Sequence, residues 1–311
     1  MTVFRLGLVG AGRMGRTHLR ALASSDAVRV VAVAEPSAET RAALDAPGLV
    51  VHPHVDAMLR AGGLDGALVA VPSTLHLSAV ARLAEAGLPI LCEKPCGLTA
   101  AQAQHAADLA AARAIPLQVA YWRRFVPSLQ RLRARIMAGE LGALYHVACH
   151  QWDASPPPPA FRTGSGGIFI DMGVHEFDQI RWLTGQEITR LHASAATVSA
   201  DPPVPGDAES AQALCDLSGG STALVSLGRR FPAGDICRVE VFGTQDAAEC
   251  RFLWPPDADA VFHDALRRQA EGFAAWVGGG PAQGASAADA VAALAAAERA
   301  WITPAATPAA G

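Results

Sequence analysis

The sequence predicts an α/β fold in two parts: an open parallel sheet with helices on both faces, then an α+β part with a largely antiparallel open sheet. Three observations carry that prediction. Short apolar runs alternate with Ala- and Leu-rich stretches of helical length over the first 120 residues. A glycine-rich turn, Gly10-Ala11-Gly12-Arg13-Met14-Gly15, joins the first run to the first helical stretch. Beyond residue 120, β-alternating segments follow one another with few helices between them. The expected division is therefore 1–120 and 121–311.

Taken in order, strands are expected at Phe4–Val9, Val28–Ala34, Asp65–Val71, Pro89–Glu93 and Pro116–Ala120. Helices are expected at Met14–Ser24, Ser37–Leu44, Leu75–Ala86 and Thr99–Ala112. Thr99 has the place of an N-cap and Gly87 that of a C-cap. Strand–helix alternation of this kind builds a doubly wound parallel sheet. In the second part, a helix with Leu129, Leu132 and Ile136 on one face leads to a strand at Leu144–Trp152 and a Pro-rich connector at 154–161. A Gly-rich turn and a helix at Asp171–Leu183 follow. Strands are then expected at 188–199, 209–217, 221–230, 236–243 and 248–253. Helices at 262–277 and 286–301 close the chain, and the last residues, 304–311, read as a frayed tail.

Composition excludes several classes of function. Charged residues are 17% and the net charge is −4, so no basic excess exists to neutralise a nucleic-acid backbone. Apolar runs break well short of the ~20 residues a membrane span needs. The N-terminus reads as a strand entering a turn, not as a signal peptide, so a soluble cytoplasmic protein is expected. Six scattered cysteines lack zinc or C-x-x-C spacing; buried thiols and no metal are expected. Of 25 basic residues only Lys94 is lysine, an arginine-biased background that explains the scarcity of lysine but not the place of the survivor.

The glycine turn has the strand–turn–helix context that a dinucleotide requires. One glycine makes the turn, one admits the pyrophosphate to the backbone, and one lets helix pack on strand, with the helix N-terminus facing the phosphates. Glu35 ends the second strand, twenty residues after Gly15. An acid there accepts from a ribose 2′-hydroxyl and repels a 2′-phosphate, which favours NAD over NADP. The competing reading of Glu35 is a plain surface acid.

Two further segments leave strands at the carboxyl edge, where such a sheet binds ligands: Val71-Pro72-Ser73-Thr74-Leu75-His76 and Cys92-Glu93-Lys94-Pro95. Lys94 is either a donor to a substrate hydroxyl, able to move a proton once desolvated, or a surface lysine pairing with Glu93. In the second part Asp171 and His175 stand at i, i+4, which on a helix puts both on one face. A carboxylate beside an imidazole orients the ring and favours its charged form, as a general base needs. The alternative is a helix-dipole acid and an ordinary half-buried histidine.

These motifs in this order resemble the Gfo/Idh/MocA oxidoreductases, over almost the whole chain. Within that family the chain is most similar to the inositol and polyol dehydrogenases, through Arg123-Arg124-Phe125, Trp152–Pro157 and Ser165–Met172. The resemblance implies a Rossmann domain over 1–120 and a substrate-binding and oligomerisation domain over 121–311. It implies that Lys94 polarises the reacting hydroxyl, His175 takes its proton and Asp171 orients the pair. It also places Pro72, Ser73, Thr74, His76 and Glu93 along the cofactor with Gly10, Gly12, Arg13, Met14 and Gly15, and Arg123 and Asp153 against other ring hydroxyls.

The chain departs from that pattern at Trp122, Trp152, Gly173, Leu266 and Gln269. Two indoles, Trp122 and Trp152, and a lost hydroxyl predict a flatter, less polar pocket, which suits stacking on an aldose or a modified cyclitol as much as on myo-inositol. The function expected is NAD-dependent hydride transfer to or from a secondary alcohol of a cyclic polyol or sugar. Rival readings are a lactone-forming aldose dehydrogenase, a keto-sugar reductase, a non-catalytic sugar or dinucleotide sensor, and a glycosidase using NAD transiently. The resemblance also implies a homodimer or homotetramer.

Overall fold

Strands buried on both faces need no polar alternation, and those of the first sheet show none. β1 (Phe4–Val9), β4 (Gly66–Val69) and β5 (Ile90–Cys92) each run into unbroken buried stretches. With β2 (Val28–Ala34), β3 (Val50–His52) and β6 (Leu117–Val119) they form a parallel sheet, to which β13 (Ala285–Ser286) adds antiparallel to β6. The strand order is β13-β6-β5-β4-β1-β2-β3, which reverses direction between β1 and β4. The turns that follow those two strands carry the glycine motif and the Pro72–His76 segment. Helices α1 (Arg13–Leu22), α2 (Ala38–Ala42), α3 (Val55–Ala61), α4 (His76–Glu85) and α5 (Ala100–Ala111) connect the strands. Thr99 caps α5 by accepting from the Gln102 amide.

This computed structural model describes residues 2–44, 48–198 and 204–301. The chain divides into Met1–Phe125 with Phe262–Val291, and Val126–Val261 with Ala292–Gly311. The first unit thus differs from a simple 1–120 domain by taking back a later segment. Two packing facts explain why. β13 completes the sheet edge, and Phe273 of α9 (Ala258–Val277) sets its ring 6.0 Å from that of Phe4, joining a core of Leu6, Leu8, Val33, Leu68 and Leu91. β3 and α3 were not expected from the sequence, being too short for their periodicity to stand out. Residue 199 of the expected strand and the tail at 304–311 lie outside the described residues.

The second sheet has the order β12-β11-β7-β10-β9-β8, from β7 (Leu144–Trp152), β8 (Ile188–Ala196), β9 (Ser210–Leu217), β10 (Thr222–Gly228), β11 (Ile236–Gly243) and β12 (Ala247–Leu253). Its pairs are antiparallel except β7 with β10. Helices α6 (Pro127–Met137) and α8 (Val174–Thr184) pack together, α8 lies on β7 and β10, and α7 (Pro159–Gly164) and α10 (Ala287–Trp301) complete the chain.

The period of two fixes which side chains meet α8. On β7 Cys149 accepts from Gln179 of that helix, and on β10 Leu227 packs against Gly173. The unbroken β7–β10 register then puts Trp152, Ser226 and Gly228 on the opposite face. There the Trp152 indole N–H donates to Ser226 Oγ at 3.1 Å, and its ring lies over Gly228, where a Cβ would overlap ring atoms. Gly228→Ala should therefore destabilise the fold by about 1–3 kcal/mol through overpacking. Urea denaturation measures this; an unchanged midpoint would show that the indole moves aside without cost.

Candidate active site

Gly10 adopts φ +93, and a Cβ there would meet the Ala70 carbonyl oxygen at 2.8 Å. At Gly15 a Cβ would overlap the Gly10 carbonyl, so α1 can start this close to β1 only with glycine. A Cβ on Gly12 would meet nothing within 4 Å beyond its own chain neighbours, and no side chain caps α1 there. The first-turn N–H groups of Arg13 and Met14 accordingly face an open cradle suited to a diphosphate. Glu35 is buried, not a surface acid. Its Oε2 accepts from the Ala11 amide at 2.8 Å and its Oε1 from the Ser37 amide at 2.9 Å. Each carboxylate oxygen has a second lone pair, which leaves acceptor capacity for ribose hydroxyls. The residues present thus fit a dinucleotide of the NAD type.

Across the switch point, Pro72 and Thr74 are exposed and Ser73 half-buried in a 3₁₀ turn. His76 is buried and acts as a clamp: Nδ1 lies 2.6 Å from the Pro95 carbonyl and Nε2 2.9 Å from that of Val71. Carbonyls only accept, so a neutral ring can keep one of these bonds and a charged ring both. Burial pushes its pKa down, while the two carbonyls and Glu93 push it up; burial dominates.

Glu93 is a hub. Its Oε1 lies 2.6 Å from His18 Nε2, and its Oε2 accepts from the Lys94 amide at 3.1 Å. Burial opposes its ionisation, but the His18 bond and the charges of His18, Lys94 and His76 hold its carboxyl below the ordinary value. Both of its oxygens are engaged by the protein itself, which ties α1 to the Glu93-Lys94-Pro95 turn and fixes the backbone that carries Lys94. His18 was missed from the sequence. The available signal was its helical spacing with Gly15 and Leu22 on the buried face of α1. The Lys94 side chain is half-buried.

Arg123 and Trp122 are buried in the first unit. Phe262 stands edge-on to Trp122 at 4.9 Å between centroids, and the Arg123 guanidinium lies 5.9 Å from the indole. Trp122 is therefore a packing residue rather than an exposed stacking surface. Leu266 and Gln269 are fully buried on α9.

In the second unit Asp171 lies in a π-turn, Phe169–Gly173, that runs directly into α8, which carries His175. With about 4.4 residues per π-turn and 3.6 per α-turn, either geometry keeps i and i+4 within roughly 40° of one face. Both side chains are buried. Gly173 is filled around by Phe169, Phe177 and Leu227 at 3.3–3.4 Å, so packing, not a pocket, sets that position. Asp153 follows β7 on the α8 side of the sheet, its amide bonded to the Gly228 carbonyl at 2.9 Å. Trp152 sits on the other side. Within the second unit, then, the Trp152 ring lies on the sheet face away from α8. Among the described residues, no three His, Cys, Asp or Glu side chains gather as metal ligands, and no helix is long and apolar enough to cross a membrane.

An open glycine cradle with a buried acid beside it, at the edge of a parallel sheet, is the architecture of an NAD-binding Rossmann domain. Residues 4–121 match the profile of an oxidoreductase family with an NAD-binding Rossmann fold, and residues 129–249 that of the GFO/IDH/MocA C-terminal domain. The chain belongs to the GFO/IDH/MocA family. It is 55% identical to the rhizopine catabolism protein MocA of Rhizobium meliloti over 96% of this chain and 95% of that one. It is 33% identical to the myo-inositol dehydrogenase Hyg17 of Streptomyces leeuwenhoekii, over 90% of each. A crystal structure of a putative myo-inositol dehydrogenase from Sinorhizobium meliloti 1021 superposes with a TM-score of 0.90 at 30% identity, covering 96% of this chain and 98% of that one.

Burial pushes Asp153 up from 3.8 to about 6; Asp235 and Asp171 add to this, and Gln151 and Arg229 oppose it. A carboxyl whose folded pKa is raised costs stability once pH exceeds the unfolded value, and the cost is complete above the folded one. Asp153→Asn should therefore stabilise the protein at pH 8, by at most about 3 kcal/mol, and by about half of that at pH 5. Urea unfolding at the two pH values measures the difference. A gain independent of pH would show that ionisation is not its origin.

Proposed function

We propose that the protein is an NAD-dependent dehydrogenase acting on a secondary alcohol of a cyclic polyol or sugar, with Lys94, Asp171 and His175 as its catalytic set. The observation that carries this reading is a buried carboxylate and a buried imidazole four residues apart on one continuous helix, beside the strand end that bears Asp153. In this reading the Lys94 ammonium donates to the oxygen of the reacting hydroxyl, and a neutral His175 accepts the hydroxyl proton. Asp171 orients the ring and stabilises the imidazolium that results. Asp153 and Arg123 meet neighbouring hydroxyls, which lets the site reject compounds lacking them. NAD, held by the glycine cradle and Glu35, would supply the acceptor for the hydride of the carbinol carbon. An arginine in place of Lys94 would hold a permanent planar charge and could not exchange a proton.

The names of the relatives favour an inositol or a modified cyclitol over an open-chain sugar. The six cysteines are all free thiols, which suits a reducing cytoplasm. A homodimer or homotetramer is part of the same reading.

Following NADH formation over the inositol stereoisomers, a rhizopine and common aldoses tests the proposal. Net NADH on a cyclitol supports it. Glycoside cleavage without NADH would replace it with the glycosidase reading, and NAD binding without turnover on any compound would replace it with a sensor. Lys94→Ala should lower turnover by roughly 10²–10⁴-fold while NAD binding, followed by fluorescence titration, stays near the parent value.

A further inference from the structure

One buried group in the second unit has no part in the reaction just described. Inward positions on β10 are Ala223, Val225 and Leu227, all fully buried, and the same alternation continues to Arg229, whose side chain is 0% exposed. A guanidinium at the next inward place of an apolar strand needs anionic partners. Arg229 has two: Nη1 donates to Asp171 Oδ2 and Nη2 to Asp207 Oδ1, each at 3.1 Å. The Asp207 side chain is itself fully buried and takes a second bond, from Arg162 Nε at 2.6 Å to its Oδ2. Two cations and two anions therefore alternate along one line, Arg162–Asp207–Arg229–Asp171. The backbone at Arg229 is fixed as well, since its amide donates to the Glu209 carbonyl at 2.8 Å.

We propose that Arg229, braced by Asp207 and Arg162, is a positioning residue that fixes the Asp171 carboxylate and sets how strongly that carboxylate charges His175. The planar fork holds one oxygen of Asp171 in place, where a lysine would supply only a point charge. Arg229 also offsets part of the negative field that Asp171 presents to the imidazole, and Asp207 in turn claims part of Arg229. The strength of the base is thus set two residues away from it. This inference rests on the reading of Asp171 and His175 as the acid–imidazole pair.

Other charged groups lie on the elements around the same ring. α8 itself carries Glu176, Asp178 and Arg181. Of the elements packed on it, α6 brings Arg133, which donates to the Trp182 carbonyl, and the sheet brings Asp153 and Arg229. His146 and His150 of β7 project from the opposite face. Arg229 bonds Asp171 directly.

The test is an NMR titration of the His175 ring in the protein with no substrate added, its resonance assigned by loss in His175→Gln. Arg229→Gln should raise the midpoint by about one pH unit, because a compensating cation is lost near the Asp171–His175 pair. Arg229→Lys should keep most of the parent midpoint. Asp207→Asn should move it the other way, since Arg229 is then left to Asp171 alone. Arg162 stays beside Asp207 in the Arg229 variants, and in Arg229→Lys Asp171 keeps a cation as well. Should Arg229→Gln fail to fold, Arg229→Lys and Asp207→Asn carry the test. A purely structural brace predicts lower melting temperatures with one common His175 midpoint, and that result overturns the inference. The titration needs no turnover, so a shifted midpoint in a protein that oxidises no cyclitol would sink the proposed reaction and leave this inference standing. Active protein with an indifferent His175 would do the reverse.

Discussion

A carboxylate taken out of water without a counter-charge costs several kcal/mol. The organisation of both units follows from meeting that cost at two places. In the first unit Glu93 is buried at the end of β5, and His18 on the inner face of α1 supplies its partner. In the second, Asp171 is buried at the start of the α8 segment and Arg229 supplies its partner from the end of β10. Each pairing crosses from one secondary element to another, so each also fixes the backbone that presents a proposed catalytic side chain. Lys94 is carried by the turn that Glu93 holds, and His175 by the helix that Asp171 opens.

The same economy governs the polar groups around the cofactor site. Glu35, Glu93 and His76 were all expected to touch the dinucleotide, yet each is first of all a partner for the protein's own backbone or side chains. Glu35 keeps acceptor capacity beyond those bonds, whereas His76 has both ring nitrogens committed. Preorganisation of this kind keeps the loops at the sheet edge in place before any ligand arrives.

Local sequence made much of this legible. The glycine spacing, the strand–helix alternation and the change after residue 120 gave the two sheets, and the Thr99 cap fell where its residue type asks. The i, i+4 relation of Asp171 and His175 survived the π-turn because both helix types keep that spacing on one face. What local pattern could not supply was long-range pairing. His18 and Glu93 are 75 residues apart, and Arg229 and Asp171 are 58 apart. An arginine at an inward strand position and a histidine on a buried helix face were visible signals of something to be paired, but neither names its partner. The local packing of the two tryptophans was equally out of reach: strand parity turns Trp152 away from α8, and Phe262 stands edge-on to Trp122.

That the chain carries out hydride transfer from a ring carbinol is tested most directly by isotope. The cyclitol or sugar that reduces NAD fastest is prepared with deuterium on its ring carbons, and the reduced cofactor is examined by mass spectrometry and proton NMR. One deuterium at the nicotinamide C4 for each turnover, with slower turnover than for the protiated compound, is the predicted result. Reduced cofactor carrying no deuterium, or product formed with no net reduction of NAD, would contradict it.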